Sequence, residues 1–140
     1  MITRKLFLKN LVLGSLGAGL VPGLPAVKSR AHEVEIYRGY VRGLQYYEFF
    51  DKRETLNPGH ELKLEREPEN RFDPEAVSVI SGSHTLGYIA QEDNLVLSTM
   101  LDEGLPLRAY VRRLHENPQE VWWGLRIEVK LMTHSKTDLL

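Results

Sequence analysis

The sequence contains no cysteine, which excludes disulfides, thiolate zinc sites, iron–sulfur clusters and cysteine nucleophiles in any redox compartment. It also has almost no net charge. Eighteen Lys and Arg against nineteen Asp and Glu leave −1, so the strongly basic footprint of a general nucleic-acid binder is missing. There is no Gly-Lys-Ser or Gly-Lys-Thr, and Gly14, Gly17 and Gly19 do not follow a strand; a phosphate-cradling loop, and with it an ATPase, is excluded. The histidines, His32, His60, His84, His115 and His134, form neither a His-x-x-x-His nor a Glu-x-x-His pair. No metal and no other cofactor is therefore expected. The serines lack a nucleophile-elbow context, and the carboxylates from Glu61 to Glu75 sit among Lys and Arg as on a solvated strand face. The chain reads as non-catalytic.

What is present is a composition of 42% hydrophobic and 26% charged residues over 140 positions, enough for one domain with its own core. The charge is unevenly placed: Arg4, Lys5, Lys9, Lys28 and Arg30 all precede the first acid, Glu33. Leu11 to Val21 is apolar and unbroken, and Pro22, Gly23, Pro25 and Ala26 follow. A basic end, a short apolar stretch and small residues after it make up an export signal, here residues 1 to 31. A spanning helix needs about 20 apolar residues, so contact with a membrane is expected only transiently, through this segment. The run Thr3-Arg4-Lys5-Leu6-Phe7-Leu8-Lys9 resembles the twin-arginine export motif, with Lys5 in place of the second arginine. Cleavage is expected after Ala26 or after Ala31, leaving a periplasmic or otherwise exported domain, residues 32 to 140, of charge −6 for the later cut and −4 for the earlier. The competing reading makes residues 1 to 31 an amphipathic or buried helix of a cytoplasmic chain.

Beyond residue 33 the apolar pattern has period 2, the signature of half-buried strands. Val121, Trp123, Leu125, Ile127, Val129 and Leu131 alternate with Trp122, Gly124, Arg126, Glu128 and Lys130, which predicts a long strand with Trp123 in the core and Trp122 exposed or lining a groove. Leu107, Ala109 and Val111 predict its hairpin partner across a turn at Glu116 to Gln119. Val34 and Ile36 begin a first strand, Leu62 and Leu64 lie in another, and residues 76–80 and 86–89 flank a Ser81-Gly82-Ser83 turn. One helix is expected, capped by Asp93 or Asn94, with Leu97, Met100 and Leu101 facing inward and Gly104 and Pro106 ending it. About six short antiparallel strands and one or two helices indicate a mainly β protein, a small barrel of the oligonucleotide-binding (OB) kind.

The stretch Gly43-Leu44-Gln45-Tyr46-Tyr47 is followed by Arg66-Glu67-Pro68-Glu69-Asn70-Arg71-Phe72-Asp73-Pro74-Glu75-Ala76-Val77, then by Leu86-Gly87-Tyr88-Ile89 and the helix from Asp93-Asn94 to Gly104. In this order the segments resemble the HIRAN domain, over about residues 34 to 131. The resemblance implies an OB-like barrel that, in a eukaryotic fork-remodelling translocase, captures the 3′-hydroxyl end of single-stranded DNA. It implies that Tyr46 and Tyr47 stack on bases, and that Asn70, Phe72 and Asp73 hold the terminal nucleotide. Gln45, Arg71 and Tyr88 complete the nucleic-acid-binding set. Two positions depart from that pattern: Gln45 stands where the DNA-binding member has arginine, and Phe72 lacks a hydroxyl. Arg42, Arg66 and Arg71 are left as phosphate contacts.

Each of these residues also has a structural reading. One of Tyr46 and Tyr47 could be core on a period-2 strand. Asn70 and Asp73 could simply shape a turn through backbone hydrogen bonds. Two function classes follow: a module for a single-stranded nucleic-acid end, or an exported interaction domain whose pocket takes a protein or small ligand instead. The acidic charge of residues 32 to 140 favours the second class, since affinity for phosphate backbones rests on Lys and Arg.

Overall fold

The computed structural model describes residues 31–134; the expected export signal, apart from its last residue, lies outside the described residues. Six antiparallel strands form one sheet: β1 (Ala31–Tyr40), β2 (Glu61–Arg66), β3 (Val77–Ser81), β4 (His84–Tyr88), β5 (Leu107–Leu114) and β6 (Leu125–His134). Their order in the sheet is β1-β6-β5-β2-β3-β4. Strand β2 is shared between two halves. Glu61 and Leu62 pair with β5, and Lys63 to Arg66 pair with β3, so the sheet coils within this one strand. Its two outer strands then meet just past the end of β1: Arg42 N–H donates to the Tyr88 carbonyl at 2.8 Å, and Tyr88 N–H returns a bond to the Arg42 carbonyl at 2.9 Å. That bridge closes the OB-like barrel.

Gly87 permits the closure. A Cβ there would run into the Arg42 carbonyl oxygen and stand 2.7 Å from Val41 Cγ1. The period-2 pattern supplies the interior: Ala109 and Val111 of β5 and Leu125, Ile127 and Val129 of β6 are buried, while Arg126, Glu128 and Lys130 between them are not. Each large aliphatic side chain buried this way contributes roughly 1.5–3 kcal/mol. Helix α2 (Asn94–Asp102) packs on β2 and β3 and inserts Leu97 into the core. A one-turn helix, α1 (Phe49–Lys52), which the sequence pattern did not suggest, buries Phe49.

Two expectations fail near β6. The strand begins at Leu125, not Val121, and Trp123 is 51% exposed instead of being core. Gly124 lies so close to the Glu120 carbonyl oxygen that a Cβ would collide with it, and the Glu120 carboxylate accepts the backbone N–H of both Trp122 (3.1 Å) and Trp123 (3.3 Å). These contacts fold residues 120–124 into a loop before pairing starts. A third expectation fails at α2: Asp93 occupies the N-cap position but its side chain caps nothing, because its carboxylate instead accepts a bond from the Tyr37 hydroxyl at 3.1 Å.

Candidate functional site

The Tyr46-Tyr47 pair is not on a strand. Gly43 adopts a left-handed φ of 76°, and Leu44–Tyr46 forms a single 3₁₀ turn, with Leu44 fully buried as its anchor. Both tyrosines are thrown outward, Tyr46 at 78% and Tyr47 at 41% exposure, so neither is core. Tyr47 leans on Tyr88 of β4, ring centroids 5.1 Å apart.

The loop between β2 and β3 builds the facing wall. Asn70 Oδ1 accepts the backbone N–H of Phe72 (2.9 Å) and Asp73 (3.1 Å), while its amide donates to Glu67 Oε1 at 3.2 Å. Asp73 accepts the N–H of Glu75 (2.9 Å) and the amide of Asn94 (2.6 Å). Both residues therefore shape the turn, and the turn holds Phe72 out in solvent at 94% exposure. Arg66 is committed to this loop as well. It bonds the carbonyls of Pro74 and Ala76 at 3.0 Å and pairs with Asp102 at 2.9 Å, so it is a brace and not the phosphate contact expected from sequence.

These pieces enclose a concavity of about 240 Å³ lined by Arg42, Tyr47, Asn70, Phe72, Asp73, Ala76, Tyr88, Ile89 and Gln91. Of the residues expected from sequence, Tyr47, Asn70, Phe72, Asp73 and Tyr88 come together here. Gln45, Tyr46 and Arg71 are exposed and do not line it. Arg42 is its only cationic lining residue, and it reaches Glu92 at 3.9 Å. Glu67 lies beneath the lining and is not a solvated strand carboxylate: the Tyr88 hydroxyl donates to its two oxygens at 3.0 and 2.9 Å. Burial, and then this bond to Glu67, push the Tyr88 phenol well above the usual tyrosine range, so it stays a neutral donor.

Arg42 also connects the concavity to the loop at residues 120–124. Its guanidinium lies 5.8 Å from the ring centroids of both Trp122 and Trp123, within cation–π range. Trp123 packs edge-on against Tyr40 at 4.9 Å, and the Arg126 guanidinium lies 5.5 Å from the Tyr40 ring. The strand alternation offers Trp122 as exposed or groove-lining but makes Trp123 core, so neither was among the site residues expected from sequence. On the β1-β6-β5 face, by contrast, three cations are paired with carboxylates: Arg38 with Glu35 at 2.7 Å, Arg112 with Glu128 at 2.9 Å and Lys130 with Glu33 at 3.2 Å. Among the described residues no group of three or more metal-ligating side chains comes together, and no helix is long and apolar enough to cross a membrane.

The model of the HIRAN domain family matches residues 34–136. The chain belongs to the HIRAN family. Two solved structures resemble this HIRAN chain. One is a protein from Lactobacillus plantarum, 28% identical, covering 75% of this chain and 100% of its own with a TM-score of 0.66. The other is the HIRAN domain of human HLTF, 21% identical, covering 71% of this chain and 76% of its own with a TM-score of 0.56. No curated protein matches the chain in sequence. The shared fold agrees with the OB-like barrel expected from the strand pattern.

Proposed function

We propose that this HIRAN domain is a non-catalytic module that binds the 3′ end of a single-stranded nucleic acid in the aromatic concavity. The observation that carries this reading is the gathering of aromatic rings around a single arginine: the exposed Tyr47 and Phe72 and the half-buried Tyr88 beside Arg42. Base stacking on such rings is worth about 1–3 kcal/mol per base and tolerates any sequence. Arg42 pairs with the last phosphate. The Asp73 carboxylate has about four acceptor sites, of which Glu75 and Asn94 use two, so it can accept a bond from a terminal hydroxyl. Asn70 positions Phe72 and Asp73 through its Oδ1, and the amide hydrogen that Glu67 leaves free can donate to the ligand. Trp122 and Trp123, across Arg42, give the following bases a surface to stack on.

In this reading residues 1 to 31 are an export signal, and the domain works in the periplasm or outside the cell. N-terminal sequencing of the protein recovered from the periplasm tests it: a start at Val27 or His32 is expected, and a cytoplasmic chain beginning at Met1 or Ile2 overturns it. For the ligand, the test is fluorescence anisotropy with a short single-stranded oligonucleotide at low salt, its 3′ end free or phosphate-blocked. Tighter binding of the free end is expected. Binding indifferent both to the block and to Tyr47→Ala sinks the nucleic-acid reading. The acidic charge after leader removal, and Arg42 as the only cation in the lining, favour the second reading in that event: a protein or small ligand in the same concavity.

A further inference from the structure

Two cations on the outside of the barrel have no partner in the fold. Arg113 of β5 and Arg126 of β6 stand directly opposite each other in the β5–β6 register, and Tyr40 of β1 stands opposite Arg126 on its other side. Arg126 points outward, since Leu125 and Ile127 on either side of it are buried, and cross-strand partners share a face. Like charges so placed destabilise a sheet. Among the described residues neither is paired with an acid. Glu128, two residues along β6, is used by Arg112 at 2.9 Å and Lys130 at 3.6 Å, and Glu120 is turned to the backbone of Trp122 and Trp123. The Arg126 Nε is buried without an acceptor, while its two Nη atoms, bonded to nothing in the fold, reach the surface. A guanidinium with one edge taken from solvent and a second cation beside it attracts an anion more strongly than a free surface arginine does. Its flat face rests on the Tyr40 ring at 5.5 Å, which leaves the Nη edge for a ligand.

We propose that Arg126 and Arg113 form a phosphate site, and that it takes a backbone phosphate of the same strand whose 3′ end lies in the aromatic concavity. The second half of this rests on the single-strand reading above. Phosphate suits the pair because planar guanidinium forks match its oxygens. A continuous surface joins the two places: the Arg42 guanidinium lies 5.8 Å from the Trp123 ring, Trp123 packs on Tyr40 at 4.9 Å, and Tyr40 carries Arg126. Arg126 is therefore no more than about 16 Å from Arg42, which a strand with one charge per roughly 3.4 Å crosses in about five nucleotides or fewer. The strand runs from the concavity over the tryptophan loop to this row, and a strand too short to reach it gains nothing from it.

The test is anisotropy of the full-length chain with oligothymidylates of three and ten nucleotides, both with free 3′ ends. Arg113→Gln Arg126→Gln is expected to leave the three-nucleotide Kd within twofold and to raise the ten-nucleotide Kd at least tenfold. The slope of log Kd against log salt for the longer strand should fall by about 0.7–1.4, one or two phosphate contacts. Circular dichroism checks the fold, and Arg113→Gln alone, at an exposed position, reads the same direction if the double variant does not fold. Lys63→Gln, which removes an exposed charge from β2, should change neither Kd. A loss equal at both lengths, or a ten-nucleotide Kd within twofold of the parent, overturns the proposal. If the parent binds neither strand, the single-strand reading fails and the phosphate site is read by itself. Inorganic phosphate titrated at fixed ionic strength into 15N-labelled chain should then shift the guanidinium resonances of Arg113 and Arg126 and leave that of Arg38, paired with Glu35, in place. No selective shift overturns the site as well.

Discussion

Phe72→Ala isolates what the exposed ring does, because the fold makes almost no use of it. The side chain is 94% exposed and the turn beneath it is held by the Asn70 and Asp73 carboxamide and carboxylate, which the substitution leaves in place. Removing a surface side chain of this kind changes stability by no more than about 0.5 kcal/mol. If Phe72 stacks on a base, the same change costs about 1–3 kcal/mol of binding, which is roughly a 5- to 150-fold rise in Kd. Stability and affinity are therefore predicted to separate. Urea unfolding followed by circular dichroism gives the first, and anisotropy with a fluorescein-labelled ten-nucleotide single strand gives the second. An unchanged midpoint with a Kd raised at least fivefold is expected. A Kd within twofold of the parent removes Phe72 from the interface, and a large fall in midpoint shows that the ring supports the loop instead.

Gly87→Ala places a Cβ against the Arg42 carbonyl and Val41 at the barrel closure, and overpacking there should cost about 1–3 kcal/mol, read as a lower urea midpoint. Glu92→Gln releases Arg42 from an exposed pair at 3.9 Å, a contact worth about 0.2–1 kcal/mol, so single-strand affinity should rise by about 1.4- to 5-fold; a fall refutes the role of Arg42 as phosphate partner. Burial raises the phenols of Tyr37 and Tyr88 above the ordinary 10.0, with Asp93 and Glu67 adding to it. The neutral form is favoured in the fold, so this contribution to stability is full below about pH 10 and is lost as pH rises through the higher folded values. Tm should accordingly fall above pH 10, and fall less in a Tyr37→Phe Tyr88→Phe double variant.

The barrel was legible where burial is set by a regular alternation. Ala109, Val111, Ile127 and Val129 face inward as their spacing demands, and the Ser81-Gly82-Ser83 turn joins β3 and β4 with Gly82 at a φ of 60°. The site was legible as a set of segments but not as a surface. Period 2 could not show that a left-handed Gly43 takes Tyr46 and Tyr47 off the strand lattice. Nor could it show that a close approach at Gly124, with a carboxylate from Glu120, holds Trp122 and Trp123 in a loop. The same limit applies to charge. Arg66 and Arg42 look alike in sequence, yet one braces the β2–β3 loop onto α2 and the other lines the concavity, a difference made by partners far away in the chain.

Photocrosslinking tests the central claim most directly, because it reports which nucleotide sits in the concavity. An oligonucleotide with 5-iodouracil at its 3′-terminal position is irradiated with the protein, beside one carrying the label five positions inward, and the adducts are mapped by mass spectrometry. Adducts on Tyr47, Phe72 or Tyr88 from the terminal label, and none on these three from the internal label, are predicted. Equal yields at these residues from both labels, or adducts confined to the β1-β6-β5 face, contradict capture of a chain end.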